Sequence, residues 1–319
     1  KSKFFFTLFI SMNLSAQDLN EKKILAEEAS LQITNSTTTH YSETLHDIFK
    51  YGYLLSDSSK EALSQKGFIF NKKLTSSARP QNLDQYTDDG FFRFHYTLQG
   101  SDAVSPIDSN QNQIPDYVDL IMNTFKSIGN EYFDKLGYPR PPSDHYYTRL
   151  DNGGSDHYDI YIFNLESGYY GYVQAENYAN AESLFDKGDN EFSLNIKESR
   201  GMTTFMALRN NYKDFSGNEK NIIEVTSAHE FFHAIQYGYD GWEAGWLLES
   251  TAVFMEEFLY DSINDCYQFL KTFLEKPQLS IHHDTDRGYG SYIYFSYLDE
   301  HYVDDDFVKK VFVNSVKYD

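Results

Sequence analysis

The chain has 319 residues, enough for one large domain or two, and a formal net charge of −21. So acidic a chain is a poor partner for a nucleic-acid backbone or an anionic membrane. Its one cysteine, Cys266, excludes an internal disulfide and a cysteine-based zinc site, and its 27 Tyr and 26 Phe promise a core built largely from rings.

At the N-terminus Lys1 and Lys3 precede an apolar run from Phe4 to Leu14, followed by the small residues Ser15 and Ala16. That layout predicts a secretory signal peptide over 1–16, too short to stay in a bilayer as a spanning helix. A secreted or periplasmic location is therefore expected, with no membrane partner once the leader is cut. Residues 17–85 read as a pro-segment or helical cap. Helical periodicity runs over Asp18–Gln32 and returns at Thr44–Phe49 and Ser58–Gln65, before the linker-like Ser76–Gln85. His40 and His46 are expected to face solvent. Residues 86–319 read as the functional domain, with room for further sequence beyond Asp319.

Phe91–Thr97 alternates and is rich in aromatics, as a half-buried strand should be. In the next loop, counting Asp108 as position 1, Asn110, Asn112, Asp116 and Asp119 fall at 3, 5, 9 and 12, and Ile114 at 7 can offer its carbonyl. This is the oxygen spacing of an EF-hand-like calcium loop, with two departures: Gln113 stands where the turn glycine usually is, and Asp119 where a Glu usually is. Read without calcium, the same loop caps a helix over Val118–Leu136. After Gly137 the prolines Pro139, Pro141 and Pro142 enforce an extended exit. A strand is expected over Ile160–Asn164, a hairpin over Gly168–Gln174 and a strand over Glu191–Ile196.

The segment from Asn221 to Gly238 carries His229-Glu230-Phe231-Phe232-His233. Two histidines four apart share one face of a helix and can bind one ion. Catalytic zinc takes three protein ligands and keeps one position for water, and Glu230 is near enough to accept a proton from that water. Ile222, Val225, Phe231, Phe232 and Ile235 make the helix apolar over much of its surface, so it is expected to be buried. Ser216 to Glu219 can form its capping box and Gly238 its left-handed end. A second helix follows, in which Glu249 is the candidate third ligand. Glu256 and Glu257 are read as surface groups, or as groups that orient a ligand histidine. Cys266, in a helix predicted over Asn264–Leu274, is read as a small core residue.

His-Glu-x-x-His followed by Glu249-Ser-Thr-Ala252 resembles the gluzincin branch of zinc metallopeptidases. The fuller string from His229 to Glu257, together with Phe92–Thr97, Asp108–Asp119 and Tyr158–Asn164, is similar to a group of secreted bacterial metalloproteases in that branch. The resemblance implies an α+β fold: a zincin-like mixed sheet with the active-site helix packed on it, then a mostly helical C-terminal subdomain. It also implies a strand at the sheet edge to which a peptide substrate adds. A Tyr or His downstream of the metal would hydrogen-bond the oxyanion, and His282, His283, Tyr289 and Tyr292 are all eligible. The expected function is a secreted zinc endopeptidase acting on protein or peptide, with Zn²⁺ on His229, His233 and Glu249 and Ca²⁺ on the Asp108–Asp119 loop. Two alternatives stand beside it: a calcium-stabilised binding or adhesion module on a catalytically inactive metalloprotease-like fold, and zinc hydrolysis of a non-peptide amide.

Overall fold

A computed structural model of the chain describes residues 2–35, 41–70, 75–145, 151–165, 168–178, 201–281, 285–302 and 306–316. It divides into two units, Lys1–Ala78 and Arg79–Asp319, so Arg79 and Pro80, read from sequence as linker, belong to the second.

In the first unit a single helix, α1 (Ser2–Asn35), runs through both the expected leader and the helix expected after it. It packs on α2 (Tyr41–Tyr51), a 3₁₀ turn (Gly52–Leu54) and α3 (Asp57–Gln65). Ser56 caps α3, its side chain accepting from Ser59 N. A short hairpin, β1 (Phe68–Phe70) and β2 (Thr75–Ser77), completes the unit. His46 is buried rather than solvent-facing, because Ser42 and Lys50, one turn either side of it on α2, are buried too. His40 lies outside the described residues. No described helix is long and apolar enough to cross a membrane.

The second unit is α+β. Its mixed sheet contains β3 (Gln85–Asp89), β4 (Phe92–Tyr96), β5 (Tyr158–Phe163), β6 (Gly171–Tyr178) and β7 (Met202–Arg209), in the order β3-β4-β5-β7-β6. Gly90 at φ 61° lets β3 turn back antiparallel into β4 through a two-residue loop. β4, β5 and β7 run parallel, and β6 returns antiparallel along β7. The hairpin expected over Gly168–Gln174 is absent: Gly171 onward is one long strand whose partner lies beyond residue 200. The expected strand Glu191–Ile196 lies outside the described residues. β7 is buried at every position, so it shows no alternation for a period-2 reading to find.

One face of the sheet is apolar and carries the helices. α4 (Asp116–Gly129) continues into a π-helical turn (Asn130–Lys135), which swings Tyr132 so that its hydroxyl donates to Ala228 O at 2.9 Å. Phe92, Phe125, Tyr132, Phe133 and Tyr158 surround Phe231 of α5 (Glu219–Asp240), with ring centroids 5.1–6.4 Å away. Each edge-to-face pair of this kind contributes about 0.5–1.5 kcal/mol beyond its area. Asn218 is the N-cap of α5, its side chain accepting from Lys220 N and Asn221 N, in place of the expected Ser216 box; Glu219 instead accepts from Tyr212 N. Gly238 lies inside α5 instead of ending it. There it permits contact with Pro142, whose Cδ would be 2.9 Å from an added Cβ. Beyond α5 come α6 (Gly245–Tyr260), α7 (Tyr267–Leu274), α8 (Thr285–Gly290), α9 (Tyr292–Tyr302) and α10 (Phe307–Ser315).

The opposite face is polar. Arg93 and His95 of β4 lie beside Asp159 and Tyr161 of β5, and Arg79 is buried against them. Its guanidinium donates to Glu176 through Nε and Nη2 (2.9 and 2.7 Å), to Asp159 through Nη1 (2.6 Å) and to Asp144 through Nη2 (2.6 Å). Asp159 also bonds His95 Nε2 at 2.7 Å, and the His95 ring stacks on Tyr161. Burial pushes the Asp144 carboxyl up to about 7, against the pull of Arg79.

Candidate metal centre

Phe231 anchors α5 to the sheet, and His229 and His233 project from the other side of the same helix, roughly 200° round from it. They meet Glu249 in the first turns of α6. His229 Nε2 lies 3.0 Å from His233 Nε2 and 3.1 Å from Glu249 Oε2, and His233 Nε2 lies 3.4 Å from the same oxygen. All three residues are buried. Four ligands at about 2.0–2.1 Å in a tetrahedron stand roughly 3.3–3.4 Å apart, so this triangle fits three corners of a zinc site.

The outer nitrogens explain why the inner ones converge. Gln236 Oε1, which can only accept, lies 2.7 Å from His233 Nδ1, so Nδ1 carries the proton and Nε2 turns a lone pair inward. His229 Nδ1 lies 2.5 Å from Glu256 Oε1, a contact that holds one proton. Two imidazole nitrogens and a carboxylate oxygen thus point at one buried spot, an arrangement that repels itself unless positive charge sits at its centre. Burial disfavours charge on His229, but Glu249 and Glu256 outweigh it and raise its pKa well above the ordinary value. Burial likewise works against the Glu249 carboxylate, and His233 and His229 outweigh it, holding it well below the usual range. Burial lifts Glu256 to about 7. In the metal-free chain a proton can occupy the centre, and a divalent ion would replace it.

Glu230 is buried on the same helix, and its charge is felt at His229, Glu256 and Tyr212. The Tyr289 ring stacks on His229, with centroids 5.8 Å apart and planes at 6°. Its short helix is tightly held. An added Cβ on Gly290 would lie 2.7 Å from Phe269 O, one on Gly288 would lie 3.3 Å from Trp246 Cα, and Arg287 donates to Ser280 O, Phe273 O and Leu279 O. Tyr292 is turned elsewhere: its hydroxyl engages the thiol of Cys266, which donates to Glu257 Oε2 at 3.0 Å. Cys266 is buried at the N-cap of α7, and Glu257 is thereby committed away from the metal ligands. His282 and His283 lie outside the described residues.

In the loop before α4, Asp108 accepts from Asn112 N and Gln113 N, Asn110 from Asn112 N, and Asn112 from Ile114 N. The side-chain amides of Asn110 and Asn112 both donate to Asp119 Oδ2, at 2.8 and 2.9 Å. Gln113 takes φ 73° at the position where glycine is usual. Asp116 is engaged separately, accepting from the backbone N and hydroxyl of Ser109, which lower its pKa. The loop thus gathers Asp108, Asn110, Asn112 and Asp119 and holds Asp116 apart.

Sequence reading did not find Gln236 as the partner of His233; its only signal is position, one turn on from a candidate ligand histidine. Compared with protein-family models, with curated proteins and with solved structures, the chain matches none.

Proposed function

We propose that the chain is a secreted zinc peptidase of the gluzincin type, with a zincin-like fold in its second unit. The observation that carries this is the convergence of His229 Nε2, His233 Nε2 and Glu249 Oε2, with Gln236 fixing the tautomer of His233. His229, His233 and Glu249 would hold the ion. The chemistry zinc supplies in such a site is Lewis acidity, which makes water more acidic and a carbonyl more electrophilic. Glu230, buried beside the ligands, would accept a proton from the attacking water and return it to the leaving amine. Of the two described candidates, Tyr289, held against His229, is the one placed to meet the oxyanion, since the Tyr292 hydroxyl is engaged with Cys266. The Asp108–Asp119 loop would hold calcium as a structural ion.

The test is zinc content together with casein or gelatin digestion, with and without a chelator. Zinc retained at one ion per chain and digestion lost on chelation are expected. Glu230→Gln should keep the zinc and lose about 10²–10⁴ in rate, since glutamine keeps the shape and takes no proton. A chain that takes up no zinc sinks the reading; one that binds zinc but digests neither substrate favours the inactive binding module, and digestion unchanged in Glu230→Gln removes Glu230 from its role as base.

A further inference from the structure

We infer that Gln236 is a positioning residue: it selects the tautomer of His233 and ties that histidine to the backbone just before Glu249. The inference rests on the metal reading of His229, His233 and Glu249. Gln236 is fully buried on α5, one turn past His233. Its Nε2 donates to Leu248 O at 2.9 Å and lies 2.8 Å from Thr251 Oγ1. A carbonyl oxygen can only accept, so Leu248 O fixes which end of the amide is nitrogen. The other end, Oε1, must then face His233 Nδ1, where it lies at 2.7 Å. With its proton held on Nδ1, His233 has only Nε2 to offer an ion.

The same amide joins two ligands on different helices. Leu248 immediately precedes Glu249, so one side chain holds both the ring of His233 and the backbone that delivers the carboxylate. The relative placement of the second and third ligands is thereby set by two hydrogen bonds from one residue. Thr251 Oγ1 also donates to Leu247 O at 2.7 Å, so removing the amide does not leave that hydroxyl without a bond. The metal-free fold should therefore tolerate the loss better than the metal site does.

The experiment compares the wild type, Gln236→Leu and Gln236→Glu. Zinc affinity is read by chelator competition, and the His233 tautomer by ¹⁵N NMR of histidine-labelled protein in metal-free and zinc-loaded states. Gln236→Leu should weaken zinc binding about 10–100-fold and populate the Nε2–H tautomer of His233 in the metal-free chain. Gln236→Glu keeps an acceptor towards His233 but bonds Leu248 O only where its other oxygen is protonated, so it should restore the Nδ1–H tautomer and bring zinc affinity part of the way back towards wild type. A purely structural role would put both variants equally low and leave the tautomer alone. Should Gln236→Leu fail to fold, Gln236→Met, which keeps the length of the side chain, takes its place. Wild-type zinc affinity in the apolar variant, or an unchanged His233 tautomer, overturns the inference. A wild type that binds no zinc overturns the metal reading instead, and the metal-free tautomer still decides for or against Gln236.

Discussion

On one face of the sheet Arg79 faces Asp144, Asp159 and Glu176; beyond the helix on the other face, His229, His233 and Glu249 face one another. Both groups are buried, and in both, electron-rich atoms crowd a small volume. The first carries its own cation on the chain. Burial opposes charge on that guanidinium, but Glu176, Tyr161 and Asp159 outweigh it and hold it firmly protonated. Among the described residues no arginine or lysine bonds the second, which leaves the central charge to a proton or an ion. A structural cluster closes on itself, whereas the proposed metal centre would keep its positive charge exchangeable.

Removing one charged residue from each group should break the comparison most sharply. Glu249→Ala should abolish stoichiometric zinc, while Glu257→Ala should leave zinc unchanged, because Glu257 serves Cys266. Full zinc occupancy in Glu249→Ala, read by metal analysis after dialysis, would mean that another carboxylate completes the site. Arg79→Ala should cost about 3–5 kcal/mol by chemical denaturation, since it strands buried carboxylates, and added zinc should not restore it. That deficit should shrink towards pH 4 as the stranded acids take up protons.

The Asp108–Asp119 loop sharpens the contrast from another side, its three acids being only partly buried. Calcium at about 100 times its Kd should stabilise the native chain by about 2.7 kcal/mol, read as a raised Tm. Asp108→Ala with Asp119→Ala should remove the rise and leave zinc content alone. No calcium-dependent shift in the unmutated chain reduces the loop to a helix cap.

A last test concerns Asp144. Its folded pKa, about 7, lies above its ordinary 3.8, so the folded state holds the proton more tightly than the unfolded state. The stability this contributes is full below about pH 4 and is lost as the pH rises through 7. Asp144→Asn should flatten the fall in stability between those limits by up to one proton's worth. An identical pH slope in wild type and variant would show that Asp144 titrates normally.

His229, Glu230, His233 and Glu249 were legible in the sequence because each depends on local spacing along helices, and the buried character of α5 showed in its apolar surface. β4, β5 and most of α4 were legible for the same reason. Gly238 was misread because a glycine near a helix end signals a left-handed cap, and only the approach of Pro142 reveals the packing role. β7 was missed because full burial erases the alternation on which strand reading depends. Arg79 stood in a stretch that reads as linker, and the acids that claim it lie 65, 80 and 97 residues away. The same distinction holds at the candidate metal centre. Sequence determined which atoms could bind an ion, since ligand chemistry and helical spacing are local. Which nitrogen of His233 faces inward was decided only when α6 brought Leu248 O and Thr251 against Gln236, because a tautomer is set by whatever the fold places on the ring's far side.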